Sequence, residues 1–130
     1  MHPQHRLRQS TEYERARKAG RSWGNDLLVL HAVQREGEVT RCGFAVSRRV
    51  GGAVVRNRVR RRLREIVRRR LPSVPGGWDL VLSARPRAAA APYGDLSAAV
   101  DSLFRRGGLS TVPATKGIQA APAGPGTMGA

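Results

Sequence analysis

Residues 56–70 read RNRVRRRLREIVRRR: nine of the fifteen positions are arginine and Glu65 is the single acid among them. Val55, Val59, Leu63, Ile66 and Val67 fall on one face at helical spacing, so the segment is an amphipathic helix. Gly51-Gly52 breaks the chain before it, and Leu71-Pro72 ends it. Strand-like runs lie on both sides, which makes the chain a mixed α+β domain.

On a wheel of 100° per residue, Arg56, Arg60, Arg64 and Arg68 climb one flank of the apolar stripe. Arg58, Arg61, Arg62 and Arg69 take the solvent side. Four arginine pairs are spaced i, i+4 (56/60, 58/62, 60/64 and 64/68). Each costs an isolated helix ~0.2–0.5 kcal/mol, roughly 1–2 kcal/mol in sum. Arg56 and Arg58 also sit near the first turn, where the helix dipole disfavours a cation. Folding gains nothing from this arrangement, and a polyanion would reverse the sign of every contribution. Arginine rather than lysine suits phosphate, because its planar fork binds bidentately and stacks on bases.

Working outward, RQSTEYERARKAG reads as a first helix, with Ser10 or Thr11 as its cap, Glu12 and Glu14 in its first turn, and Gly20 as its stop. Leu27 to Val33 is a buried strand. Trp23, set apart by Gly24-Asn25, belongs to a short separate one. A turn over Arg35 to Glu38 leads into VTRCGFAVS, and the two runs read as an antiparallel hairpin. WDLVLSA after PSVPGG is a further core strand, and Trp23 and Trp78 are assigned to core or edge packing. A last helix over about Tyr93 to Arg105 carries Leu96, Val100, Leu103 and Phe104 as its stripe. The order in residues 1–106 is helix, strands, helix, strand, helix, an α+β domain. Residues 107–130 are Gly, Ala, Pro, Ser and Thr with few large apolar groups, and are expected to be a disordered tail.

The chain has 130 residues and a net charge of +15. Residues 107–130 carry only Lys116, so a charge of +14 sits on the first 106 residues. Such a field attracts polyanions, of which nucleic acid is the commonest in a cell. No apolar run reaches membrane-spanning length, MHPQHRLRQS has no hydrophobic core of a signal peptide, and the lone Cys42 excludes an internal disulfide framework. The expected setting is the cytoplasm, with no membrane partner.

Catalytic groups do not assemble in this sequence. The nine acids (Glu12, Glu14, Asp26, Glu36, Glu38, Glu65, Asp79, Asp95 and Asp101) are scattered without D-x-D or E-x-x-H spacing. His2 and His5 lie in the N-terminal extension and His31 stands alone on a strand. Cys42 has no zinc-ligand partner, and VGGA is a turn rather than a phosphate cradle. No catalytic residue and no metal ligand is expected, so any chemistry belongs to a partner.

The stretch FAVSRRVGGAVVRNRVRRRLRE resembles the signature of the bacterial ribonuclease P protein family, V-S-[KR]-[KR]-x-G-x-A-V-x-R-N-x-x-[KR]-R. The pattern falls on Val46, Ser47, Arg48, Arg49, Gly51, Ala53, Val54, Arg56, Asn57, Arg60 and Arg61. The similarity extends to Arg6-Leu7, Gly20, LLVLHAV and WDLVLSARP, over about residues 6 to 106. The resemblance implies an αβββαβα two-layer domain with a central sheet and a left-handed βαβ crossover around the arginine helix. It implies an enzyme whose RNA subunit, with magnesium, removes the 5′ leader of precursor tRNA. The protein is then an RNA-binding cofactor, not itself catalytic, whose partners are the catalytic RNA and the leader.

Two surfaces follow from the resemblance. The leader-binding cleft maps to Tyr13, Arg17, His31, Arg49, Arg56, Arg60 and Arg64. The catalytic RNA maps to Arg48, Asn57, Arg58, Arg61, Arg62 and Arg68. The family usually has aromatics where this chain has Arg17 and His31; both can still stack on a base, and Arg17 adds phosphate attraction. Two other readings compete with this one. A structural RNA-packing protein shares the size and charge, but would not distinguish precursor from mature tRNA. A DNA-binding basic helix fits poorly, since no leucine heptads accompany it, and no DNA partner is expected.

Overall fold

The computed structural model describes residues 3–109. Three helices, α1 (Ser10–Ala19), α2 (Ala53–Arg70) and α3 (Tyr93–Arg106), accompany four strands. The strands are β1 (Arg21–Gly24), β2 (Leu28–Gln34), β3 (Arg41–Ala45) and β4 (Trp78–Ala84), and they form one sheet in the order β1-β2-β4-β3. The element order is the αβββαβα expected, with short 3₁₀ turns at Pro3–His5, Leu71–Ser73 and Pro86–Ala90.

The expected hairpin between β2 and β3 does not form. β4 inserts between them, antiparallel to β2 and parallel to β3, with Leu82 opposite both Leu30 and Phe44. The reason lies in the side chains of β4. Asp79, Leu80, Val81 and Leu82 are all buried, so this strand needs cover on both faces and a neighbour on both edges. β3 is shorter and begins with an arginine, which suits an edge. The turn after β2 folds onto the loop before β4 instead: Arg35 N–H donates to Gly77 O at 2.9 Å, and Thr40 Oγ1–H to Pro75 O at 2.6 Å. Gly37 and Gly77 both adopt positive φ there (109° and 87°), a conformation that favours glycine.

Strand alternation sorts the side chains. Leu28, Leu30, Leu80, Leu82 and Cys42 face α2 and α3, where Val59, Leu63, Ile66 and Val67 meet Leu96, Val100, Leu103 and Phe104. Trp23 joins this core, and Trp78 packs at its margin. Val81 faces the opposite way, into a small cluster with Leu7 and Ala16 that Tyr13, Val33 and Ala45 border. α1 therefore lies across the face that α2 and α3 leave open. The outer edge of β3 is closed by the N-terminal segment, where Arg6 bridges Cys42 and Leu7 N–H donates to Cys42 O at 3.2 Å.

Two boundaries differ from expectation. The cap of α1 is Gln9, one residue before Ser10, because Glu12 reaches back to accept from the Arg8 and Gln9 N–H groups, each at 3.1 Å. At the other end, Gly107 and Gly108 form the stop of α3, and Leu109 is buried in the core with its N–H on Phe104 O at 2.8 Å. The remainder of the expected tail, residues 110–130, lies outside the described residues. No helix among the described residues is long and apolar enough to cross a membrane.

Candidate nucleic-acid interface

A row of three residues runs across the open face of the sheet. His31 on β2 pairs with Val81 on β4, which pairs with Gly43 on β3. α1 crosses this row with Tyr13 and Arg17, one helical turn apart. The Tyr13 ring lies directly on Gly43: a Cβ there would sit 2.4 Å from the phenol carbon and oxygen. Gly43 is therefore required for this approach. The Phe44 N–H donates to Tyr13 Oη at 3.3 Å, while the phenol's own O–H has no acceptor among the described residues. Burial raises the phenol's pKa, opposed by the Phe44 amide and the charges of Arg60 and Arg17. The hydroxyl is thus a neutral, available donor.

Arg17 lies near enough to His31 to act on it. Burial holds the imidazole below its ordinary range, and the Arg17 guanidinium depresses it further. Because the unfolded chain takes up a proton on this residue first, folding stability falls as pH drops through the ordinary histidine value, ~6.5. We expect His31→Gln to flatten the part of the stability–pH profile between about pH 7 and 5.5 that belongs to this group, as read from urea unfolding. Arg17→Ala should raise the His31 pKa in a ring-proton NMR titration, and an unmoved titration would place Arg17 away from the imidazole.

The second wall comes from α2. Arg56, Arg60 and Arg64 are half-buried along its flank, and Arg60 and Arg64 both interact electrostatically with Tyr13. Burial lowers the pKa of Arg64, and the like charges of Arg6 and Arg60 lower it further. The Nε atoms of Arg56 and Arg64 are buried without a hydrogen-bond partner. None of Arg6, Arg56, Arg60 and Arg64 has an acidic partner among the described residues. Such convergence is unfavourable until an anion enters. Arg6 is the member the sequence reading left out: its backbone is fixed to the β3 edge, and only the sheet pairing brings it to α2.

Arg48 and Arg49 occupy an exposed turn before α2, closed by Val50 N–H on Ser47 O at 3.0 Å. Among the described residues, no hydrogen bond or electrostatic interaction links the Arg49 side chain to Tyr13 or His31. Arg61 is exposed, as expected. Arg58 and Arg62 differ from the expected solvent position: they are half-buried and donate to Ala89 O and Ala91 O at 3.3 and 3.4 Å. The alanine-rich segment before α3 passes close to α2 and offers its carbonyls. Arg68, expected on the flank with Arg56, Arg60 and Arg64, is exposed, and Glu65 pairs with both Arg68 and Arg69 at 2.7 and 3.1 Å. Pairs this exposed are screened by water and contribute little, so Arg68 stays exchangeable.

Sequence reading also missed the role of Asp79. Its side chain is 2% exposed, and Arg41 grips both oxygens at 2.9 Å, with Arg35 at 3.4 Å and Arg15 at 3.8 Å. Arg41 continues to Glu12 on α1 at 2.9 Å. The signal was a single acid inside the apolar run WDLVLSA. Arg70 has a comparable structural role, tying α2 to Asp101 and Ser97 of α3. These arginines are consumed by the fold, and those around Tyr13 are not.

The family model for Ribonuclease P matches residues 1–108. The ribonuclease P protein component of Roseiflexus castenholzii is 45% identical over 106 residues, covering 81% of this chain and 87% of that one. The component of Chloroflexus aurantiacus is 40% identical over 115 residues, covering 88% and 85%. Among solved structures, the RNase P protein of Thermotoga maritima superposes with a TM-score of 0.70 at 28% identity, over 77% of this chain and 96% of that one. The Staphylococcus aureus RNase P protein, at 24% identity and a TM-score of 0.73, shares the fold over 78% and 93%. With the match spanning both walls of the groove and the signature helix alike, this chain belongs to the ribonuclease P protein family.

Proposed function

We propose that the chain is the RNA-binding subunit of a cytoplasmic ribonuclease P, gripping the catalytic RNA with one surface and the 5′ leader of precursor tRNA with another. The observation that carries this reading is the uncompensated cluster of Arg6, Arg56, Arg60 and Arg64 beside the Tyr13 hydroxyl, whose proton has no acceptor among the described residues. It offers fork-shaped donors and a stackable ring to a single strand lying along the sheet face. Arg48, Asn57, Arg58, Arg61, Arg62 and Arg68 form the surface for the catalytic RNA. Arg49 stands at the turn between the two surfaces. Within this reading the RNA subunit holds the magnesium ions and performs the hydrolysis, and the protein contributes substrate affinity.

Reconstitution with the cognate RNA tests it. The complex should bind precursor tRNA more tightly than mature tRNA, whereas the protein alone should cleave neither. Equal affinities would leave an RNA-packing protein as the better description. Sustained cleavage by the RNA-free polypeptide would remove the cofactor reading.

A further inference from the structure

The two surfaces meet at one hydrogen bond. Arg60 Nη1 donates to Asn57 Oδ1 at 2.7 Å, one turn apart on α2. Asn57 belongs to the surface proposed for the catalytic RNA, and Arg60 to the groove proposed for the leader. This bond is the only one the Arg60 guanidinium makes among the described residues. It also fixes the amide orientation, since a guanidinium cannot accept and only the amide oxygen can receive it. The Nδ2 group of the exposed Asn57 is therefore turned away from Arg60, with both of its donors free.

Arg60 needs such a hold. Arg64 lies on the same flank and repels it, and Arg6 adds its own charge beside Arg64 from the N-terminal segment. Repulsion from these cations favours swinging Arg60 out into water, where its attraction for a strand on the sheet face would be lost. The Asn57 oxygen offsets that tendency. The positive field around Asn57 meanwhile favours an approaching acceptor over a donor, and RNA phosphates are acceptors. An acceptor on Nδ2 polarises the amide and strengthens the bond its oxygen receives.

We infer that Asn57 is a positioning residue that links the two surfaces: RNA engages its Nδ2 while its Oδ1 holds Arg60 toward the leader groove. The inference rests on the proposed function and adds the coupling between its two halves. Occupation of the RNA surface then prepares the groove for the leader, through a residue that does not touch the leader.

The test uses the reconstituted complex with the protein saturating its RNA, so that weakened assembly does not enter. The readout is the ratio of affinities for precursor and mature tRNA. Asn57→Ala should lower this ratio by roughly three- to tenfold, the range of one hydrogen bond. Arg60→Ala should lower it as well, and the double variant should fall no further than Arg60→Ala alone. Asn57→Asp keeps an acceptor for Arg60 but loses the donor for RNA; it should weaken protein–RNA assembly and, at saturating RNA, give a ratio above that of Asn57→Ala. If Asn57→Ala keeps the ratio while Arg60→Ala lowers it, or if the two losses multiply, the link is overturned and the groove stands. If Arg60→Ala itself leaves the ratio unchanged, the groove assignment falls and takes the link with it.

Discussion

Replacing Asp79 with alanine will destabilise the domain by about 3–5 kcal/mol, the cost of removing one partner from a buried ion pair. The argument rests on what would remain. Arg41 now closes a bidentate pair with both Asp79 oxygens, and Arg35 and Arg15 converge on the same carboxylate. Without it, cationic groups crowd one patch of the sheet, with Glu12 as the remaining acid beside Arg41. A small domain has ~5–15 kcal/mol in total, so the variant would stand near the edge of folding. Its midpoint should drop by roughly 12 °C or more in a thermal scan. Asp79→Asn, which keeps the shape and one acceptor, should lie between the two. A loss below about 1 kcal/mol for alanine would show that these arginines are solvated rather than held.

The second large effect is on binding. Arg60→Ala combined with Arg64→Ala should leave the fold intact, because neither side chain makes an ion pair among the described residues, and Arg60 bonds only Asn57. Relief of like-charge repulsion offsets part of the packing lost from the stems. Precursor affinity, by contrast, should fall roughly tenfold or more, since hydrogen bonds to charged groups contribute ~1.5–3 kcal/mol each. The salt dependence carries the sharper prediction. Two fewer phosphates neutralised on a single strand should reduce the log–log slope by about 1.4. An unchanged slope would take both residues out of the site, whatever happens to the affinity.

The elements themselves were legible because each carries its own local signal. The stripe of α2, the stripe of α3 and the runs of β2 and β4 appear where the periodicities place them. Pairing was not legible, because the partner of a strand is chosen by burial summed over the whole sheet. A turn rich in Gly and Glu between two apolar runs reads as a hairpin until a third, more apolar strand claims the centre. The same limit explains the site. The flank of Arg56, Arg60 and Arg64 follows from a wheel, and the family resemblance supplied Tyr13, Arg17 and His31. Arg6 joins them only because the N-terminal segment is stitched to β3, and that stitch has no sequence pattern. Arg58 and Arg62 were placed in solvent because a wheel does not show the neighbouring segment that passes over them.

The central place of β4 also bears on how the chain is made. β3 pairs with no other named strand, and β4 is separated from it by the whole of α2. While the polypeptide is still emerging from the ribosome, the arginine helix therefore leaves before the sheet that seats it can close. The sheet is completed only when residues 78–84 have been synthesised, so the final collapse is a late, non-local event.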